Sequence, residues 1–251
     1  MAAPRCPRPA RMFFSALLVA LLFGLLPVGP ALADVDRPAV DVVFATGSEA
    51  DALLARSDEK APFWRLLRGF VSERELTFCG VATAAMTLNA LDVKPPPSPE
   101  IHPFSVFDQY NLFTAEALAV KSVGEIQRSG LTLAEVAAIL RSHGVKVAVR
   151  HAGEAPLEQF RREARAALAG DGSIVTVNFA RAGLGMEGPG HHSPLAAYDA
   201  ESDRFLMMDV ARYEWPPSWV RAEDLYNAMN TRDDDAGKTR GWLVVRKGGQ
   251  P

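Results

Sequence analysis

Cysteine is almost absent from this chain, which has Cys6 and Cys79 and no other thiol in 251 residues. That count excludes a disulfide framework and a multi-cysteine zinc site. Positive charge is not in surplus either, with 27 Lys and Arg against 30 Asp and Glu, so no nucleic-acid or anionic-membrane partner is expected. Long apolar runs are missing beyond the first thirty-odd residues, and no internal repeat is present. The fold must rest on a hydrophobic core, for which 48% apolar and 23% charged side chains are ordinary.

The one long apolar run is at the start. "MAAPRCPRPARM" carries Arg5, Arg8 and Arg11 without an acid, "FFSALLVALLFGLLPVG" follows, and Ala31-Leu32-Ala33 precedes Asp34. A basic stretch, an apolar stretch and a small-residue cleavage triplet in that order predict a signal peptide over residues 1–33 and an exported, periplasmic chain over 34–251. The alternative, an uncleaved membrane anchor, needs a longer apolar run. Cleavage removes three arginines, leaving 24 basic against 30 acidic side chains, a formal charge of −6, and no stable membrane association is expected afterwards. Cys6 leaves with the signal, so Cys79 becomes the one thiol of a single domain.

Residues 34–57 are acidic and alanine-rich and read as a lead-in that wraps the surface. Helical spacing is visible in residues 63–70, 79–91, 131–144 and 156–170. Strands are expected in "VKVAVRH", "SIVTVNF", "HSPLAAY", "RFLMMDV" and "WLVVR". "KPPPSPEIHP" reads as a long loop inside one unit. Helices first and strands later predict an α+β domain, with one set of helices packed on an antiparallel sheet.

Cys79 opens the segment "CGVATAAMTLNAL", whose small residues Gly80, Ala82 and Ala84 allow a helix deep in the core. A thiol at a helix start meets unsatisfied N–H groups and the positive end of the dipole, which favour a thiolate. A buried structural cysteine is the plain alternative. A reactive thiol needs a base, and "GPGHHSPLAAYD" supplies His191 and His192 where one strand begins, while Asp209 lies where the next ends. In a hairpin those ends are neighbours, so a His on one strand can be oriented by an Asp on the other. Adjacent side chains on a strand point to opposite faces, so only one histidine reaches the thiol.

The segments "FCGVATAAMTLNALDV", "GHHSPLAAYD", "DVARYEWPPSWV" and "KTRGW" together resemble the phytochelatin synthase family, glutathione γ-glutamylcysteinyltransferases with a papain-like cysteine-protease fold. The resemblance runs from about Phe63 to Lys247. It implies Cys79 as nucleophile at the N-terminus of a central helix, His191 as base and Asp209 as its orienting acid. It also implies Arg212 and Arg240 as basic residues around the glutathione site. The implied reaction is attack of Cys79 on the Cys-Gly bond of glutathione, loss of glycine, and a γ-glutamylcysteinyl thioester. Water then yields γ-glutamylcysteine, or a second glutathione yields a phytochelatin. Hydrolysis is the expected main outcome. No tightly bound cofactor and no metal ligand set are expected, divalent metal entering as the glutathione thiolate. A homodimer is left open. The family has a glutamine at the oxyanion-hole position six residues before the nucleophile, and here that residue is Glu73. It either stays protonated and donates a hydrogen bond, or turns away and leaves the oxyanion to backbone N–H groups. The rival readings are a non-catalytic exported protein that binds glutathione or metal thiolates, and a metal-dependent hydrolase using His191, His192 and Asp209.

Overall fold

The computed structural model describes residues 40–248, so the expected signal peptide lies outside the described residues. In chain order the elements are β1 Val43–Phe44, α1 Ser48–Arg56, α2 Phe63–Arg68, α3 Cys79–Ala90, α4 Ala115–Val120, α5 Val123–Ser129 and α6 Leu133–Ser142. There follow β2 Lys146–His151, α7 Leu157–Ala169, β3 Ser173–Ala180, β4 Gly190–Asp199, β5 Arg204–Met207, β6 Ser218–Arg221 and α8 Ala222–Met229. The short pair β7 Arg232–Asp233 and β8 Lys238–Thr239 leads into β9 Gly241–Arg246. No described helix is long and apolar enough to cross a membrane.

Seven strands form one antiparallel sheet in the order β1-β6-β5-β4-β3-β9-β2. β4 sits at its centre and is buried from His191 to Asp199, and β3 is buried from Ser173 to Phe179. A strand buried on both faces needs cover on both. The expectation of helices on one face is corrected accordingly: α1, α2, α3 and α6 pack on one side, while α7 and α8 pack on the other.

α3 is the central helix. Every residue in it except Asn89 is buried, as a helix apolar all round requires. Gly80 lets it approach α6, since a Cβ there would stand 2.9 Å from Val136 Cγ2. The second correction concerns residues 34–57, read as a surface lead-in. Within them β1 adds a strand to the sheet edge and α1 buries Ala50 and Leu53. Asp199 at the end of β4 pins α1 from outside, taking two hydrogen bonds from Arg56 at 2.8 and 2.9 Å. An amphipathic stripe of two residues is too narrow to read from composition.

Candidate active site

Cys79 is the first residue of α3, and Phe78 before it supplies no side-chain cap. The N–H groups of the first turn are therefore left without a side-chain acceptor, beside a thiol that is 6% exposed. Opposite stands β4. His191 and His192 are consecutive on it, and the pleat sends them apart as expected.

His191 is buried next to Phe179, with Nε2 2.8 Å from Asp209 Oδ1. Its N–H is poorly aligned on that oxygen, so charge more than a directed hydrogen bond joins the two. The other ring nitrogen is left for the thiol. Ligand atoms of Glu73, Cys79 and His191 all lie within 4.8 Å of one another. Burial disfavours the imidazolium, but Asp209 and Cys79 outweigh it and hold the His191 pKa up at about 9. His192 has no such neighbours. Burial brings its pKa down to about 3, and it stays neutral between the Leu131 carbonyl, 2.9 Å away, and the Asn178 amide.

Asp209 is fully buried yet well supplied with donors. Arg181 grips it with both terminal nitrogens at 2.8 and 3.0 Å, and the Ala211 N–H adds a bond of 2.8 Å. Burial would raise its pKa, but His191 and Arg181 prevail and hold the carboxyl well below the usual carboxylate range. Arg181 was not legible in the sequence. It follows β3 without any motif, and only the register of β3 against β4 carries it toward Asp209.

Glu73 turns into the site. It is 6% exposed, its N–H bonds to Val210 O at 2.8 Å, and its Oε1 accepts from the Tyr213 hydroxyl at 2.6 Å. Its Oε2 is buried without a partner. Burial raises the Glu73 pKa, opposed in part by Tyr213, His191 and Arg181. Gln109 holds this loop: its Oε1 accepts from Arg74 N at 2.9 Å and its Nε2 donates to Ser72 O at 2.8 Å, so its amide brackets Glu73. That role too was missed, because Gln109 lies 36 residues along the chain from Glu73.

Two clefts adjoin at the site and share Leu76, Thr77, Pro189 and Gly190. One, of about 320 Å³, is lined by Cys79, Arg128, Asn178, Asp233, Asp235 and Arg240. The other, of about 590 Å³, is lined by Glu73, Arg181, His191, Tyr213 and Glu214. Arg240 lines the first cleft, over Gly190 and with its buried Nε unpartnered. Arg212 lines neither. It is exposed, stacked 4.5 Å over the Phe70 ring and bonded to Phe70 O, so its guanidinium is taken up outside both clefts.

This site and frame define an α+β protein centred on a single thiol, with an imidazole and a buried carboxylate in series behind it. The chain belongs to the phytochelatin synthase family, whose pattern it matches over residues 37–242. It is similar to glutathione gamma-glutamylcysteinyltransferase 1 of Lotus japonicus, 30% identical over 210 residues, covering 84% of this chain and 41% of that protein. Glutathione gamma-glutamylcysteinyltransferase 3 of Lotus japonicus is 31% identical over 210 residues, 84% of this chain and 43% of its own length. The same enzyme name attaches to a Triticum aestivum protein, 31% identical over 211 residues, 84% of this chain and 41% of its own. The chain spans about two fifths of the length of the curated relatives it matches.

Proposed function

We propose that this protein is a papain-like cysteine acyltransferase acting on glutathione, with Cys79 as nucleophile, His191 as base and acid, and Asp209 as orienting group. The observation that carries this reading is the series Asp209, His191, Cys79, with Cys79 at the start of α3 beside a cleft holding Arg128 and Arg240. The protonated His191 favours the Cys79 thiolate, which attacks the Cys-Gly carbonyl. The uncapped N–H groups of α3 face the developing oxyanion, worth a factor of about 10² or more per donor. Glu73 supplies the second donor as a carboxyl kept protonated by burial. His191 gives its proton to the departing glycine and the γ-glutamylcysteinyl thioester remains.

Arg240 and Arg128 suit the α-carboxylate of the γ-glutamyl group, and Asp233 and Asp235 in the same cleft suit its ammonium. The second cleft carries Glu73 and Glu214, and its one arginine is committed to Asp209. An anionic second glutathione is poorly received there, whereas water needs no binding. Hydrolysis to γ-glutamylcysteine is therefore the main outcome we infer, with phytochelatin synthesis secondary and divalent metal entering as a substrate thiolate. Export to the periplasm belongs to the same reading.

Incubating the purified protein with glutathione tests it. The expected result is release of glycine with a γ-glutamylcysteinyl adduct on Cys79 in the intact mass. Tight glutathione binding without glycine release would establish the non-catalytic alternative.

A further inference from the structure

Three groups of the site have the chemistry of a metal centre, and the order in which they are held matters more than their mere proximity. The Cys79 sulfur, a ring nitrogen of His191 and a carboxylate oxygen of Glu73 lie within 4.8 Å of one another, all three residues buried. A tetrahedral zinc site with ligand distances near 2.0–2.3 Å sets its ligands about 3.3–3.8 Å apart. The three side chains therefore need to close by no more than about 1.5 Å. His191 already has Nε2 on Asp209, leaving Nδ1 as its ligand atom. A carboxylate behind a histidine is the usual way in which proteins orient a metal-binding imidazole. Tyr213 occupies Oε1 of Glu73, and Oε2 is left buried and without any partner. An oxygen in that condition is costly unless something else arrives to pair with it.

Charge points the same way. Asp209 and Arg181 form a bidentate pair that cancels. Once Glu73 and His191 have given up their protons to a metal, a Cys79 thiolate and a Glu73 carboxylate are two negative charges in a buried space, which one divalent cation neutralises. The neighbouring His192 plays no part, since its Nε2 is held against Leu131 O on the other face of the strand. The metal set weighed from the sequence, with His191, His192 and Asp209 together, is thus not the one the fold assembles.

We propose that Glu73, Cys79 and His191 bind one divalent cation of the zinc class, and that occupancy takes the thiolate out of use. Binding releases the protons that these groups carry. The fourth coordination position opens toward the cleft at Cys79, where a water or a thiol completes the tetrahedron. The result is a reversible cap on a reactive thiol that has no cysteine partner among the described residues. This does not rest on the acyl-transfer reading, because the three ligands and the counter-charges stand whether or not the thiol turns over.

The test is a metal titration of the metal-free full chain without substrate. Zinc is competed against a chromophoric chelator, and cobalt(II) in its place reports thiolate ligation through its charge-transfer absorption. One equivalent is expected, with the cobalt–thiolate band present in the wild type and absent in Cys79→Ser. Glu73→Gln removes one ligand and should weaken zinc at least about tenfold, the lower end of what loss of even an outer-shell partner costs. Failure to compete with the chelator would overturn the proposal. Equal zinc affinity in Glu73→Gln would overturn it as well, leaving a generic thiol–imidazole contact, and a band surviving in Cys79→Ser would put the metal elsewhere. Should Glu73→Gln lose its fold by circular dichroism, alkylation of the wild type decides: equimolar zinc must protect Cys79 from iodoacetamide, and unchanged labelling sinks the site.

Discussion

At the scale of single residues, two histidines with the same chemistry have opposite jobs, and the difference can be measured. His191→Ala should lower kcat by about 10²–10⁴-fold, the usual worth of a positioned acid–base group, with a modest change in melting temperature. His192→Ala should do the reverse. It leaves Leu131 O and the Asn178 amide without their buried partner, costing about 1–3 kcal/mol of stability while the thiol keeps its base. Equal kinetic losses in the two variants would refute this division. Asp209→Asn is the severe case, because it strands the buried Arg181 guanidinium without a counter-charge, at about 3–5 kcal/mol by thermal or denaturant unfolding. Glu73→Gln should raise turnover, since an amide N–H is a permanent donor to the oxyanion where a carboxyl is one only while protonated. A fall in kcat would mean that the carboxyl performs some other step.

At the scale of elements, the site is a meeting of the α3 start, the β4 start and the end of β5. Pattern made these legible. The small residues after Cys79 and the strands expected in "HSPLAAY" and "RFLMMDV" bring thiol, imidazole and carboxylate to adjoining ends, and the family resemblance singles out His191 and Asp209. What stayed hidden depends on long-range register. Arg181, Tyr213 and Gln109 acquire their roles only when strands and loops distant in sequence are brought together, and the contact of Arg212 with Phe70 is of the same long-range kind. α1 was hidden for another reason, since it is held partly by the Arg56–Asp199 clamp and not by a wide apolar face. That clamp has a pH signature. Asp199 has its pKa lowered to about 2, mainly by Arg56, so its contribution is complete above the ordinary aspartate pKa near 4 and is lost as pH falls toward about 2. Arg56→Gln should consequently move the acid-unfolding midpoint to higher pH and leave stability at neutral pH less affected than an interior substitution would. An unchanged acid midpoint would show that α1 docks without the clamp.

At the scale of the whole molecule, Cys79 has no second cysteine among the described residues to resolve its oxidation. Oxidised glutathione should trap Cys79 as a mixed disulfide through the cleft it lines, and reductant should restore activity fully. Persistence of full activity in oxidised glutathione would show the sulfur to be shielded. The two-sided cover of the sheet serves the same centre, because a strand buried on both faces can keep a base on one side and a structural histidine on the other.

That doublet has a consequence for errors in strand pairing. Were β4 to slip one place, His192 would take the position of His191, and an imidazole would still face the sulfur. Most strands lose their meaning on such a slip. Here the chemistry would survive the mistake, and the correct pairing must be proofread by something else. Gly190 does this. A slip puts His191 in its place, where a Cβ stands 2.8 Å from the Arg240 guanidinium and would push it off Thr231 and the Arg232 carbonyl. A residue without a side chain thus helps to tell the two histidines apart.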